Sequence, residues 1–292
     1  MTTRDSYLVG LIGSGIANSF SPVLHEREAD RHGLRHLYRL IDLDRTGTAP
    51  DRVGELVRAA RDFGYRGLNI TYPCKQRVID SLDELAPQAA AIGAVNTVVF
   101  EGEGGSRRAV GHNTDVTGFV ACLDREPAYA PGQRVVQLGA GGAGAAVAHA
   151  LLTRDTGHLT VVDPLTDRAE ALAAALNRRF GDGRADPCAP DGLLAAMAEA
   201  VGLVHASPTG TAAHPGLPLP AELLHSGLWV VDVVYRPLET ELLRVARARG
   251  CTASNGVGLL VFQAADAFRL FTGREPDRTR MLAHAAELVA SE

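Results

Sequence analysis

A single lysine, Lys75, stands among 29 basic residues, of which the other 28 are arginine. Arginine replaces lysine readily on a solvated surface. A guanidinium, however, keeps its proton near neutral pH, whereas an amine gives it up when its site tunes it. A lysine that survives alone is therefore a candidate proton-transfer group; the plainer alternative is a chance survivor at a helix start. A second candidate site is the run Gly139-Ala-Gly141-Gly142-Ala143-Gly144, which follows an apolar stretch and opens a helical pattern. The G-x-G-x-x-G spacing allows a tight turn and lets backbone approach a pyrophosphate. It also brings the helix close to the strand, with the helix N-terminus facing the phosphates. The next apolar run ends in Asp163, near the ~20-residue spacing at which a carboxylate takes up ribose hydroxyls. Followed by Pro164, Asp163 also reads as a turn or helix-capping residue. A carboxylate there repels a 2′-phosphate, so the pattern favours NAD over NADP. Arg168 can greet such a phosphate, lie flat on an adenine, or cap the following helix.

Such groups need strands and helices in alternation to hold them, and the hydrophobic periodicity supplies that alternation. In the first half, residues 7–13, 37–43 and 65–72 read as strands, residues 22–33 and 52–63 as helices, and residues 75–85 as a helix that begins at Lys75. Residues 94–100 and 109–112 flank the Gly-rich loop 101–106 and read as a hairpin. A helix over 114–123 is followed by a Pro-, Ala- and Gly-containing stretch, 126–133, that reads as a linker. The second half alternates more regularly. Strands are expected at 134–138, 159–163, 203–206 and 229–234, helices at 142–153, 167–180 and 239–248, and an all-helical end at 259–289. This pattern implies a doubly wound parallel sheet, so the expected fold class is α/β with two domains, one Rossmann-like and one built on a mainly parallel sheet.

Composition narrows the function classes. With 46% hydrophobic and 22% charged residues, the chain has material for substantial cores. A net charge of −5 suggests neither nucleic acid nor an anionic membrane as partner. No apolar run is long enough to span a bilayer, and the N-terminus enters a strand-like run without a leader pattern. Cys74, Cys122, Cys188 and Cys251 are scattered and read as reduced thiols of a cytoplasmic protein. The ten histidines form no ligand spacing, so no metal is assigned.

Further signatures follow in order along the chain. They are Ser19-Phe-Ser21-Pro-Val-Leu-His25, Asn69-Ile-Thr71-Tyr-Pro-Cys-Lys75, Gly93-Ala-Val-Asn96-Thr and Gly111-His-Asn-Thr-Asp115-Val-Thr-Gly-Phe119. Later come Asp232-Val-Val-Tyr235-Arg-Pro-Leu-Glu-Thr240 and Asn255-Gly256-Val-Gly258, running on through Gln263 to Phe271-Thr-Gly273. Together they resemble the shikimate/quinate dehydrogenase family over essentially the whole chain, nearest to its NAD-dependent quinate/shikimate branch. The resemblance implies a substrate-binding catalytic domain at 1–118 and an NAD-binding Rossmann domain at 119–256. The C-terminal helices at 257–292 would pack back on the first domain, with the active cleft between the two.

The implied reaction is reversible hydride transfer between NAD and a ring hydroxyl of quinate or shikimate, giving the 3-dehydro acid. Lys75 and Asp115 would be the catalytic pair, and Ser19 and Ser21 would hold the substrate carboxylate. Thr71, Asn96, Asp115 and Gln263 would bind ring hydroxyls, with Tyr235 lining the pocket. Gly139, Gly141, Gly142, Ala143, Gly144, Asp163 and Arg168 would hold the dinucleotide, and Gly256 would lie against the nicotinamide. The residue chemistry points the same way, because oxidising an alcohol needs a base for the hydroxyl proton and the reverse needs an acid. Plainer readings stand beside these: Ser21 before Pro22 as a helix N-cap, Asn96 as a turn residue, Gln263 as an exposed helix residue, Tyr235 as a loop anchor.

The chain departs from the NADP-dependent biosynthetic members in three places. Their usual Asn-Arg-Thr is replaced by Asp163-Pro-Leu-Thr-Asp-Arg168. Their Asn-Ala-Thr-Pro reads His205-Ala-Ser-Pro208, and a common methionine is Leu259. Other readings are an NADP-dependent biosynthetic shikimate dehydrogenase and a non-catalytic dinucleotide-binding regulatory module; an amino-substituted ring acid is a further substrate option. The expected partners are small ring carboxylates, without nucleic acid or membrane, and the expected state is a monomer or homodimer.

Overall fold

The computed structural model describes residues 5–102 and 107–290. By internal contacts the chain divides into two units, one of residues 1–118 and 260–292 and one of residues 119–259.

Among the described residues, the first unit is built on six strands: β1 (Ser6–Gly13), β2 (Arg35–Asp42), β3 (Gly67–Ile70), β4 (Glu84–Leu85), β5 (Thr97–Glu101) and β6 (Arg108–His112). Their order is β2-β1-β3-β5-β6-β4. Pairings are parallel for β1 with β2, β1 with β3 and β4 with β6, and antiparallel for β3–β5–β6. The central strands β1, β3 and β5 are buried in continuous runs, so successive side chains, which point to opposite faces, fill a core on each side of the sheet. Ile12, Leu68, Ile70, Val98 and Phe100 face one core with Val53, Val57 and Ala60 of the helix Val53–Asp62. Val9, Leu11, Tyr38 and Val99 face the other, against Ala267 and Phe271 of the helix Val257–Thr272. Each fully buried aromatic ring contributes about 1.5–3 kcal/mol. The last helix, Arg278–Ala290, is tied to the first, Ser21–Arg31, through Arg280 and the wholly buried Glu28, 2.6 Å apart.

The segment 75–85 is not the helix its apolar spacing suggests. Cys74 N–H donates to Thr71 O, Val95 N–H claims Lys75 O, and the chain proceeds through turns to a 3₁₀ turn at Ile79–Ser81. Asp83 then pairs with Ala109 through backbone and side chain, drawing residues 84–85 out to the sheet edge as β4. Val78, Ile79, Leu82 and Leu85 still reach the core, so the spacing was satisfied by a different backbone path. The hairpin is β5–β6; residues 103–106 of its loop lie outside the described residues.

The second unit has six parallel strands: β7 (Arg134–Leu138), β8 (His158–Val162), β9 (Ala185–Cys188), β10 (Gly202–His205), β11 (Trp229–Asp232) and β12 (Thr252–Ser254). Their order is β12-β11-β10-β7-β8-β9, which reverses between β7 and β10. The helices Gly142–Thr153, Thr166–Phe180, Leu193–Glu199 and Glu241–Ala248 connect them. Strands β9 and β12 were not anticipated. Both are short edge strands, and β9 contains Pro187, which an edge tolerates. Residues 126–133 are no free linker but a packed loop. The Glu126 carboxylate accepts from Ser254 Oγ at 2.6 Å, Trp229 Nε1–H donates to Gln133 Oε1, and Tyr129 meets the Trp229 ring edge-on. Among the described residues, no helix is long and apolar enough to cross a membrane. The four cysteines are unpaired.

Candidate active site

Lys75 sits just after β3, and Asp115 is the first residue of the helix Asp115–Leu123. Asn113 starts that helix: its Oδ1 accepts the N–H groups of Asp115 and Val116, while its Nδ2 is anchored on Ala94 O. A carboxylate in the first turn is favoured by the helix dipole. Lys75 Nζ donates to Asp115 Oδ2 at 2.6 Å, with only 15% and 8% of the two side chains exposed. The pair is thus held at a nearly dry site, where charge-assisted contacts are strongest.

Asn96 holds the other carboxylate oxygen. Its Nδ2 donates to Asp115 Oδ1 and to Thr114 Oγ1, both at 2.9 Å, while its Oδ1 accepts from Thr114 N and Thr97 Oγ1. Thr97 Oγ1 in turn accepts from Asn69 Nδ2, and Asn69 Oδ1 accepts from the Tyr38 hydroxyl at 2.8 Å. Asn96 is therefore a fully used buried amide rather than a turn residue, and its orientation is fixed from behind. The residues Tyr38, Asn69, Thr97, Asn113 and Thr114 were not singled out from sequence. The available signals were the Asn-Thr-Asp run before a helix and the neighbours of Asn96 and Thr71 in their motifs.

The remaining candidates of the first unit lie near this pair in sequence or on neighbouring elements. Gly13, at the end of β1, gives Thr71 room, since a Cβ there would lie 2.3 Å from its methyl group. Ser21 is not the helix cap: it is the first helical residue, and its N–H donates to Ser19 Oγ at 3.2 Å. Gln263, half-buried on the helix Val257–Thr272, donates to Leu260 O rather than pointing into water. Among the described residues, none of Ser19, Ser21, Thr71 and Gln263 hydrogen-bonds to Lys75 or Asp115. Behind Tyr38, His25 and His36 stack at 5.6 Å among Phe268 and Phe271. Burial, and for His25 also its neighbour His36, pushes both below the ordinary histidine range, His36 to about 4.

The second unit carries the glycine run where β7 turns into the helix Gly142–Thr153. Gly139 adopts φ +102°, and a Cβ on it would lie 2.8 Å from the Ala206 backbone. A Cβ on Gly144 would strike Gly139 O at 2.1 Å, so the helix meets the strand only with glycine there. Gly141, by contrast, faces open space, and no side chain caps the helix that begins at Gly142 and Ala143. An open cradle at an uncapped helix N-terminus fits a pyrophosphate. Asp163, buried at the end of β8, accepts from Ala140 N at 2.8 Å and Leu165 N at 2.9 Å. It braces the glycine turn and the following bend, leaving its remaining lone pairs for another donor. Arg168 is exposed in the first turn of the helix Thr166–Phe180. Tyr235 is half-buried after β11, and Gly256 is packed so tightly that a Cβ would sit 2.1 Å from Val233 O.

An α/β protein with a lysine–carboxylate pair in one unit and a glycine-cradled, switch-point sheet in the other has the parts of a dinucleotide-dependent oxidoreductase. Residues 11–98 match the family described as shikimate dehydrogenase substrate binding domain, and residues 256–285 match the shikimate 5′-dehydrogenase C-terminal domain. The chain is 69% identical to a Streptomyces avermitilis protein named shikimate dehydrogenase (NADP(+)), over 99% of this chain and 98% of that one. It is 47% identical to a Corynebacterium efficiens protein named quinate/shikimate dehydrogenase (NAD(+)), over 96% and 98%. A solved quinate dehydrogenase from Corynebacterium glutamicum in complex with NAD superposes with a TM-score of 0.86 at 43% identity, covering 97% of this chain and all of that one. The chain belongs to the shikimate dehydrogenase family.

Proposed function

We propose that this protein is an NAD-dependent quinate/shikimate dehydrogenase that moves hydride reversibly between NAD and a ring hydroxyl of quinate or shikimate, giving the 3-dehydro acid. The observation that carries this reading is the 2.6 Å contact between the sole lysine and Asp115, braced by Asn96. When bound, the nicotinamide ring supplies the hydride acceptor or donor. Lys75 Nζ takes the proton of the reacting hydroxyl during oxidation and returns it to the carbonyl oxygen during reduction. Asp115 orients the amine and accepts from the same hydroxyl. Ser19 and Ser21 take the ring carboxylate, Thr71 and Gln263 the other hydroxyls, and Tyr235 lines the pocket; Asn96, its amide already committed to Asp115, Thr114 and Thr97, holds the carboxylate in place instead of a ring hydroxyl. Residues 1–118 with the C-terminal helices form the substrate domain, and residues 119–256 hold the dinucleotide.

On that domain, Gly139, Gly141, Gly142, Ala143 and Gly144 cradle the pyrophosphate, and Gly256 approaches the nicotinamide. NAD is preferred in this reading because Asp163 places a buried carboxylate where a 2′-phosphate would otherwise go. A second reading, NADP dependence with Arg168 on the phosphate, is favoured by the name of the Streptomyces relative. A two-by-two assay of quinate and shikimate against NAD and NADP decides between them. Turnover with NAD and either acid supports the proposal; turnover with NADP alone replaces it with the second reading, and no turnover with any pair removes both.

A further inference from the structure

The second unit buries an amide that the reading above does not use. Gln137 stands on β7, an interior strand of the sheet, between Val136 and Leu138, and has no exposed surface. Its Nε2 donates to Gly139 O and to Gly144 O, both at 2.9 Å. Its Oε1 is buried without a hydrogen-bond partner among the described residues. Turning the amide over does not serve that oxygen, because Oε1 would then face two carbonyl oxygens and both bonds would be lost. A buried acceptor left unserved costs stability, and an apolar side chain at this place in the sheet would avoid that cost. What the amide supplies is the pair of bonds made by Nε2.

Those bonds end on the first and last glycines of the run at the head of the helix Gly142–Thr153. The peptide that carries Gly139 O carries the Ala140 N–H on its other side, and Asp163 Oδ2 takes that N–H at 2.8 Å. The peptide that carries Gly144 O carries the Ala145 N–H, which donates to Gly141 O at 2.8 Å. Both peptide planes are therefore fixed on both sides. Between them lie the N–H groups of Gly141, Gly142, Ala143 and Gly144, and among the described residues none of the four has an acceptor. One side chain thus staples the two ends of the stretch whose donors are free. Gly144 leaves room for the staple, since a Cβ there would lie 3.1 Å from Gln137 Nε2. Gly139 is the part that most needs holding: it sits at φ +102°, and a glycine released from one of its bonds has many other conformations open to it.

We propose that Gln137 is a positioning residue for the dinucleotide cradle: by tying Gly139 O and Gly144 O together, it holds the four free N–H groups in the arrangement that receives a pyrophosphate. This rests on the dinucleotide reading of the second unit. The plainer role is a bond between strand and helix that adds to stability alone, and the two roles differ in what they predict. When only a fraction of molecules holds the binding-competent form, apparent affinity falls by that fraction. A loosened cradle therefore penalises ligands that carry a pyrophosphate and spares those that lack one. A merely structural bond leaves the affinities of the folded protein unchanged.

The test measures affinities of the wild type, Gln137→Met and Gln137→Leu for the preferred reduced dinucleotide, for ADP-ribose and for adenosine, which has no pyrophosphate. Titrated ¹⁵N shifts reach the millimolar affinities that adenosine requires. If NADPH is preferred, 2′-phospho-ADP-ribose and 2′-AMP replace the last two probes. Both variants should bind the dinucleotide and ADP-ribose about five- to tenfold more weakly, and adenosine within about twofold of wild type. Thermal unfolding should fall by no more than about 5 °C, because relief of the unserved Oε1 offsets part of the two lost bonds. In the ligand-free protein, amide exchange at Ala140 should quicken by more than at Val136 and Val161 inside the strands. Unchanged dinucleotide affinity, equal weakening of adenosine, Ala140 exchange that quickens no more than that of the strands, or failure of both variants to fold would overturn the inference and leave Gln137 a structural bond. A wild type that binds neither dinucleotide nor ADP-ribose overturns the dinucleotide reading itself, and this inference with it.

Discussion

Replacing Lys75 by Arg and by Met separates charge from proton transfer at the proposed catalytic pair. The Lys75–Asp115 contact is 2.6 Å long and mostly shielded from water. An arginine keeps the positive charge and its N–H donors, so the ion pair and the fold should survive, but it cannot act as a base. Methionine removes the charge and strands a carboxylate that is 8% exposed. Removing one partner of a buried pair costs about 3–5 kcal/mol. Asn96 Nδ2–H still serves Oδ1 here, which brings the expected loss to about 1–2 kcal/mol. Thermal unfolding should therefore drop by a few degrees in Lys75→Met and hardly at all in Lys75→Arg. Turnover should fall in both, by about 10²–10⁴-fold, or about 3–5 kcal/mol of barrier. Initial rates followed by absorbance of the reduced dinucleotide, with dinucleotide affinity measured in parallel, give both numbers. A Lys75→Arg enzyme whose kcat stays within about tenfold of wild type would refute the role assigned to the amine.

Asp163→Ser should raise NADP use and weaken NAD binding by about 1–2 kcal/mol; an unchanged cofactor preference would leave Asp163 as a brace for Ala140 and Leu165 only. Quinate and shikimate should both be oxidised, with kcat/KM values within about a hundredfold, because the two serines near the carboxylate offer no evident clash; quinate inert at saturating shikimate-like concentrations would contradict this. Asn96→Ala should cut kcat by at least about tenfold, since it unhooks Asp115, Thr114 and Thr97 together; a wild-type rate would show the network to be dispensable. His36 is neutral in the fold because burial depresses it from 6.5 to about 4. The unfolded chain therefore takes up that proton first, so stability is complete above pH ~6.5 and declines as pH falls towards 4, by at most about 3 kcal/mol. Urea midpoints across that window should fall less steeply in His36→Leu, the remaining slope belonging to His25 and His149, which burial depresses too; an undiminished slope would place the sensitivity elsewhere.

The sequence was most legible where one local rule acted alone. Regular βα units from Arg134 to Phe180 came out with near-correct boundaries because apolar runs, glycine turns and amphipathic helices all agreed there. It was least legible where long-range pairing overrode spacing. Val78, Ile79, Leu82 and Leu85 carry a helical pattern, yet the bonds of Lys75 to Val95 and of Asp83 to Ala109 set the path, and neither partner is visible locally. β12 has only three residues, and Pro187 masks β9. At the candidate site, residue types announced the lysine and the glycines, and the ordered family motifs the carboxylate of Asp115. The polar groups that fix them, such as Asn69, Thr97 and Asn113, were hidden because their importance lies in who they bond to across strands. His205 was visible only as a departure from a motif, because the Asp232 it bonds and the Thr240 that bonds Asp232 lie 27 and 35 positions further along the chain.

The solitary ammonium held against Asp115 is also an analytical handle. A protein with one ε-amine, labelled with ¹⁵N-lysine, yields one side-chain nitrogen signal, and that signal comes from Lys75 without assignment work. Its shift against pH reads the amine's protonation directly, first in the free protein and then with dinucleotide or ring acid added. Amine-directed reagents likewise have one side-chain target, set apart from the α-amine by its burial beside a carboxylate. Protection from such a reagent by an added ligand then reports occupancy of that single position, with no background from surface lysines to subtract.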